Sequence, residues 1–287
     1  MTTGSQLSAA RVPLFCSTAL AARIEAAEAD LIAACSKAAS RRAGRDGFVI
    51  PVAGGVASFA GDGSPYNKIA GLGFGGVPDP EALGEIEKAF AAHGSPTQAE
   101  LAHLADPEIG ILLSARGYQL ESFENVLGRA LAGDVERVTP PGIEVRPSGA
   151  DEFGEWLVVV AEASVHPDTQ GVPWHEEFPR EVIIEAELDS AEAGCVRYAA
   201  RRAGVLAGGA TMRLAGGIAQ LTGAATLPAH RRHGIQTALL SARLADATAA
   251  GCDVAVIIVQ PGSKSQHNAQ RQGFDLLYTR AVLVRQP

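Results

Sequence analysis

The chain repeats itself. Gly117-Tyr118-Gln119-Leu120 and Gly273-Phe274-Asp275-Leu276 stand 156 residues apart, and the same offset aligns Val126-Leu127 with Val282-Leu283 and Arg129 with Arg285. A duplication bears on the fold before anything else, because it replaces one large architecture with two copies of a smaller one. Each copy ends in a helix, a glycine followed by an aromatic residue, and a closing strand. Earlier in the first copy the pattern predicts an amphipathic helix at 18–40, strands near 48–52, 56–59 and 68–74, and a helix at 80–92. Asp79 and Pro80 supply that last helix with an N-cap and a first-turn proline. Thr139-Pro140-Pro141-Gly142 is the most linker-like tetrapeptide, so the expected halves are 1–140 and 141–287. Two ordinary domains of that size each bury a core.

In the second half the apolar run 218–227 reads as a strand, and Ile235, Ala238, Leu239, Ala242 and Ala245 recur at helical spacing. Between them Pro228-Ala229-His230-Arg231-Arg232-His233-Gly234 forms a basic turn that opens a helix. The first N–H groups of a helix lack intrahelical partners and face the positive end of its dipole, so successive amides can point at a phosphate. Arg231 and Arg232 add charge, Gly234 removes a Cβ, and His230 and His233 line the turn. At the matching place the first copy reads Gly75-Gly76-Val77-Pro78-Asp79-Pro80-Glu81. Its two prolines lack N–H donors and its two acids repel phosphate, so no anion is expected there.

The spacing Arg231-x-x-Gly234-x-Gln236, the buried strand at 253–259 and the segment 261–274 ending in Gly273-Phe274 together resemble the GNAT acetyltransferase superfamily. Its coenzyme A loop reads Arg or Gln, two residues, Gly, one residue, then Gly or Ala, and Gln236 departs at the last position. The resemblance covers about the last half of the chain. It implies a mixed-sheet α/β fold in two tandem GNAT-like acyl-CoA N-acyltransferase copies, the first (1–140) degenerate and the second (141–287) working. The implied cosubstrate is acetyl-CoA and the implied acceptor an amine, with no metal. Arg231, Arg232, His233, Gly234, Ile235, Gln236 and Thr237 would meet the pyrophosphate. Thr226 and Leu227, on a bulged strand, would present amides to the thioester carbonyl. Ser265, Asn268 and Arg271 on the short helix would reach the pantetheine arm, although Ser265 also reads as a helix cap.

The proton route is less legible. Many family members carry a tyrosine four residues before the Gly-Phe glycine, where this chain has Ala269, and 218–227 contains no acid. A thiol of pKa ~8.5 leaves without much help, so water can serve. Tyr278 on the last strand is a substitute acid, and equally a core aromatic. The segment 165–177 holds His166, Asp168, Trp174, His175, Glu176 and Glu177 between prolines, the composition of an acceptor-binding loop, with Glu176 a candidate base. The run His175-Glu176-Glu177 also reads as the start of a helix favouring acids. His166 and His175 lack the register of a helical metal site.

A net charge of -8 argues against a nucleic-acid surface. Cys16, Cys35, Cys195 and Cys252 show no C-x-x-C spacing, which fits a reduced, cytoplasmic compartment. No apolar run reaches the ~18 to 20 residues of a membrane span, and no signal peptide is evident. The alanine- and arginine-rich composition suggests a bacterial source. Two other readings stay open: a coenzyme-A-binding sensor without transferase activity, and a scaffold that binds no nucleotide.

Overall fold

The computed structural model describes residues 12–44, 46–133, 135–168 and 177–287. The first half runs α1 (Thr18–Ala43), β1 (Phe48–Val52), β2 (Gly55–Phe59), β3 (Lys68–Leu72), α2 (Pro80–Ala92), β4 (Thr97–Ala102), α3 (Pro107–Ala115) and β5 (Gln119–Ala130). The second runs β6 (Ile143–Pro147), α4 (Phe153–Ser164), α5 (Arg180–Glu192), β7 (Val196–Arg202), β8 (Val205–Ala215), β9 (Ile218–Gln220) and β10 (Ala224–Thr226). A 3-10 turn (Pro228–His230) then leads to α6 (Ile235–Ala249), β11 (Val254–Val259), α7 (Lys264–Arg271) and β12 (Asp275–Arg285). No helix among the described residues is long and apolar enough to cross a membrane.

Local chemistry sets the helix ends. Asp79 accepts from the N–H groups of Glu81 and Ala82 with Pro80 in the first turn, and Asp106 with Pro107 repeats the device on α3. Ser17 caps α1, which runs three residues past the expected end and stops at Gly44 in the left-handed region.

One mixed sheet carries both halves, in the order β1-β2-β3-β4-β12-β5-β11-β9-β8-β7-β6, with β10 on β8. The closing strands are exchanged. β12 lies between β4 and β5, and β5 lies between β12 and β11. At the repeat offset β4 and β5 correspond to β11 and β12, and β3 to the segment that begins with β10, so the central run β4-β12-β5-β11 reads alike from both ends. The duplication has thus produced a pseudo-twofold axis between β5 and β12. The halves are contiguous in sequence around residue 140, yet each completes its sheet with a strand of the other.

The seam is partly polar. Arg280 on β12 is 0% exposed; its Nε donates to Glu25 of α1 at 2.8 Å and its Nη1 to Glu100 of β4 at 3.3 Å. Lys68 on β3 donates to the other oxygen of Glu100. The Tyr278 hydroxyl donates to Glu25 at 2.6 Å, and burial beside that carboxylate raises its pKa far above the usual phenol range. Tyr278 is therefore a seam residue, and the acid role expected for it is corrected: its proton is committed to Glu25 under α1.

Candidate active site

The strands flanking the expected cleft part company. β9 and β11 pair in parallel from Ile218↔Val254 to Gln220↔Val256, and the last link is the Leu221 N–H to the Val256 carbonyl at 2.9 Å. Beyond it β10 bonds only to β8, and residues 257–259 only to β5. The cause is a bulge: Leu221, Thr222 and Gly223 face only Thr211 and Met212, one residue too many, and the strand bends away. In the first copy β3 and β4 remain paired through Leu72↔Leu101. A Cβ on Gly73 there would fall 2.3 Å from the Ala105 Cβ, and one on Gly75 2.4 Å from the Ala53 carbonyl. That region is filled.

At the mouth of the open cleft stands the start of α6. Gly234 caps it at φ 87 and Arg232 turns the chain at φ 64, so two left-handed residues deliver the N–H groups of Ile235, Gln236 and Thr237 to one side. The first intrahelical bond begins only at Ala238, whose N–H reaches the Gly234 carbonyl at 3.0 Å. A Cβ at Gly234 would lie 2.9 Å from Pro140 of the linker, which is why glycine is required. Gln236 bends back and donates to the Thr226 hydroxyl at 2.8 Å, so its size does not obstruct the helix end.

Arg231 is also engaged within the protein: its Nε donates to the Thr226 carbonyl at 3.2 Å and its Nη2 to the His166 carbonyl, stapling β10 to the segment after α4. Arg232 and His233 beside it are exposed. Leu227 is not a donor for a thioester, because its N–H is taken by the Ala207 carbonyl at 3.0 Å. Alternation along the ladder turns the Thr226 N–H the other way, towards the splay. Arg231→Met is expected to cost about 1 kcal/mol, since one of its two bonds is part-buried and the other exposed, read by urea unfolding. A change well below that figure would deny the staple.

Ser263, not Ser265, caps α7, its hydroxyl accepting from the Gln266 N–H at 3.2 Å. Ser265, Asn268 and Arg271 recur every three residues and share one face of that helix. Of the acceptor-loop candidates, Trp174, His175 and Glu176 lie outside the described residues. His166 turns its ring Nδ1 to the Glu162 carbonyl at 3.0 Å. Asp168 and Glu177 are exposed at the two ends of the loop, and Glu177 precedes α5 rather than beginning it.

Sequence reasoning missed what lies on the other side of the bulge. A cavity of about 220 Å³ sits between α1 and the sheet, lined by Glu28, Glu100, Glu124, Thr222, Gly223 and Ile258, with Lys68 at its edge. Glu28 accepts from the Gln220 amide at 3.1 Å, and burial raises its pKa. Glu187 of α5 reaches the same bulge: a Cβ on Gly223 would lie 3.1 Å from its Oε1. Its Oε2 is buried without a hydrogen-bond partner, and burial pushes its pKa up to about 7 against the pull of Arg197. The one sequence signal for it is an acid one turn on from Ile183 and Ile184, on the apolar side of α5.

Residues 159–274 match the family model described as the acetyltransferase (GNAT) family. This segment is a GNAT domain. Among curated proteins none matches the chain in sequence. Among solved structures it is similar to a GCN5-related N-acetyltransferase from Kribbella flavida, at 22% identity and TM-score 0.62 over 88% of this chain and 95% of that one. It is also similar to a tandem GNAT protein from the clavulanic acid biosynthesis pathway, at 14% identity and TM-score 0.58 over 96% and 97% of the two chains. A GCN5-related N-acetyltransferase from Sphaerobacter thermophilus follows at 15% and 0.54, over 92% and 93%. At such identities the likeness is one of fold, and because it spans both halves the fold is a tandem GNAT architecture. The family match suggests acyl-CoA-dependent N-acyltransferase activity for residues 159–274.

Proposed function

We propose that the chain is an acetyl-CoA-dependent N-acetyltransferase with one working copy, in which 141–287 binds the cosubstrate and 1–140 closes the acceptor site. The observation that carries this reading is the splay of β10 from β11, with a bare helix N-terminus at its mouth and the cavity behind it. The first copy keeps its strands paired, and Asp79 occupies the start of the equivalent helix α2 with its carboxylate.

The residues suit the ligand. The N–H groups of Ile235, Gln236 and Thr237, with Arg232 and His233 beside them, would hold a pyrophosphate, and the Thr226 N–H would face the thioester carbonyl. Asn268, Ser265 and Arg271 would flank the pantetheine arm. Bound there, acetyl-CoA supplies an activated acyl group. The cavity acids Glu28 and Glu124 would draw the acceptor in as an ammonium ion, and α1 would exclude water around it.

Calorimetry with acetyl-CoA is expected to saturate at about one ligand per chain. Arg232→Glu, at an exposed position, should weaken binding by on the order of 2 kcal/mol, since it reverses a charge beside the pyrophosphate. Unchanged affinity, or two equivalent sites, would remove the assignment. A second reading, a coenzyme-A-binding sensor, draws on the commitment of Tyr278 to the seam and on Ala269 in the family's tyrosine position. Thiol release from acetyl-CoA with a panel of primary amines separates the two.

A further inference from the structure

We infer that Glu187 is the general base, the group that takes a proton from the acceptor's ammonium so that the nitrogen can attack. The inference rests on the transferase reading and adds the residue which that reading lacks.

Most buried acids of this protein meet a cation. Among the described residues the buried acids Glu25, Glu87, Glu100, Glu152 and Asp189 each touch an arginine. Glu187 makes no such contact, although its Oε2 is shut off from solvent. A buried carboxylate without a partner opposes folding, and such groups gather where chemistry needs them. Its position agrees. Gly223 has no side chain, takes φ 23 and lines the cavity, so the carboxylate approaches the bulge directly. Beside it the hydroxyls of Thr211 and Thr222 share a hydrogen bond of 2.8 Å. The Glu187 carboxylate therefore stands beside a residue that itself lines the cavity.

The surroundings keep it poised. Arg197 on β7 is the cation that pulls its pKa down, and burial outweighs that pull. Tyr66, whose hydroxyl donates to the Ala186 carbonyl, and the thiols of Cys35 on α1 and Cys195 ahead of β7 face the same region, and burial raises the pKa of all three. On α4, Glu162 is exposed and pairs with His166; on α1, Glu28 is held by Gln220. The step balances: the ammonium gives one proton to Glu187, the freed nitrogen lone pair bonds to the carbonyl carbon, the carbon–sulfur bond breaks, the departing thiolate takes the nitrogen's second proton, and Glu187 returns its own to water. Because Glu187 acts as its carboxylate, the rate must fall as pH drops through about 7.

The test compares the full-length protein with Glu187→Gln and Glu28→Gln, using acetyl-CoA and spermidine, a cation suited to the acidic cavity. Glu187→Gln should lower kcat by about a hundredfold or more while leaving the KM for acetyl-CoA in place, and should erase the acid limb of the kcat/KM profile. Its melting temperature should not fall, since the variant removes an unpartnered buried charge. A Glu187→Gln profile that keeps its acid limb, or a limb that vanishes with Glu28→Gln instead, overturns the assignment and leaves the transferase reading standing. A wild-type protein that releases no thiol with spermidine or the amine panel overturns both.

Discussion

A fragment beginning at Gly142 is expected not to fold. It retains every element from β6 to β12 and the whole turn before α6, yet it lacks β5, the strand between β11 and β12. β11 would lose its partner from Val254 to Val259, and β12 would lose both neighbours, β5 and β4. Two long apolar strands with unpaired edges are templates for aggregation. α1 would go as well, uncovering the cavity and leaving Arg280 without Glu25. The complementary fragment 1–141 suffers the mirror-image loss, since β4 and β5 both depend on β12. Expressed separately, the fragments should be insoluble. Expressed together as two chains, they should recover the circular dichroism and acetyl-CoA binding of the intact protein. A soluble 142–287 that binds acetyl-CoA alone would show that the exchange of strands is dispensable.

The second large effect concerns the seam. Arg280→Met should destabilise the protein by about 3–5 kcal/mol, because it strands buried carboxylates whose partner has been removed. Glu25 and Glu100 both bond to Arg280, and Lys68 compensates only Glu100. Burial opposes ionisation of Glu100, and Lys68 and Arg280 together hold its pKa below the usual carboxylate value. Its stabilising contribution is therefore present above the ordinary glutamate range and is lost as pH falls through its depressed pKa. Urea unfolding at neutral pH measures the loss, and a drop under 1 kcal/mol would mean that water or rearrangement replaces the arginine. The double variant Glu25→Gln, Arg280→Met should recover part of it, since one stranded charge goes with its partner.

Much of the architecture was legible because it is local. α2 occupies the expected 80–92, and its Asp-Pro start could be read from two adjacent residues. The turn before α6 was legible for the same reason: a glycine cap and a helix start lie within a few residues of chain. The run 218–227 was less so. Its apolar character announced a strand, but the break into β9 and β10 depends on the register against β8 and β11, which hydrophobic pattern does not carry. The bond from Arg231 to the His166 carbonyl was not legible, because that partner lies 65 residues away.

The amino-acid sequence by itself determined that this is a duplicated mixed α/β chain with a glycine-capped, basic helix start in its second copy only. Those properties follow from neighbouring residues: caps, prolines, glycine conformations and apolar period. Only the tertiary structure decided that the copies trade their last strands, that Tyr278 meets a carboxylate 253 positions away, and that acids from α1, β4, β5 and α5 gather behind the bulge. The physical reason is that strand order and side-chain partners are settled by which distant segments bury each other. The repeat offset is silent on whether a closing strand pairs within its own copy or across the axis, because both choices use the same residues and the same hydrogen bonds.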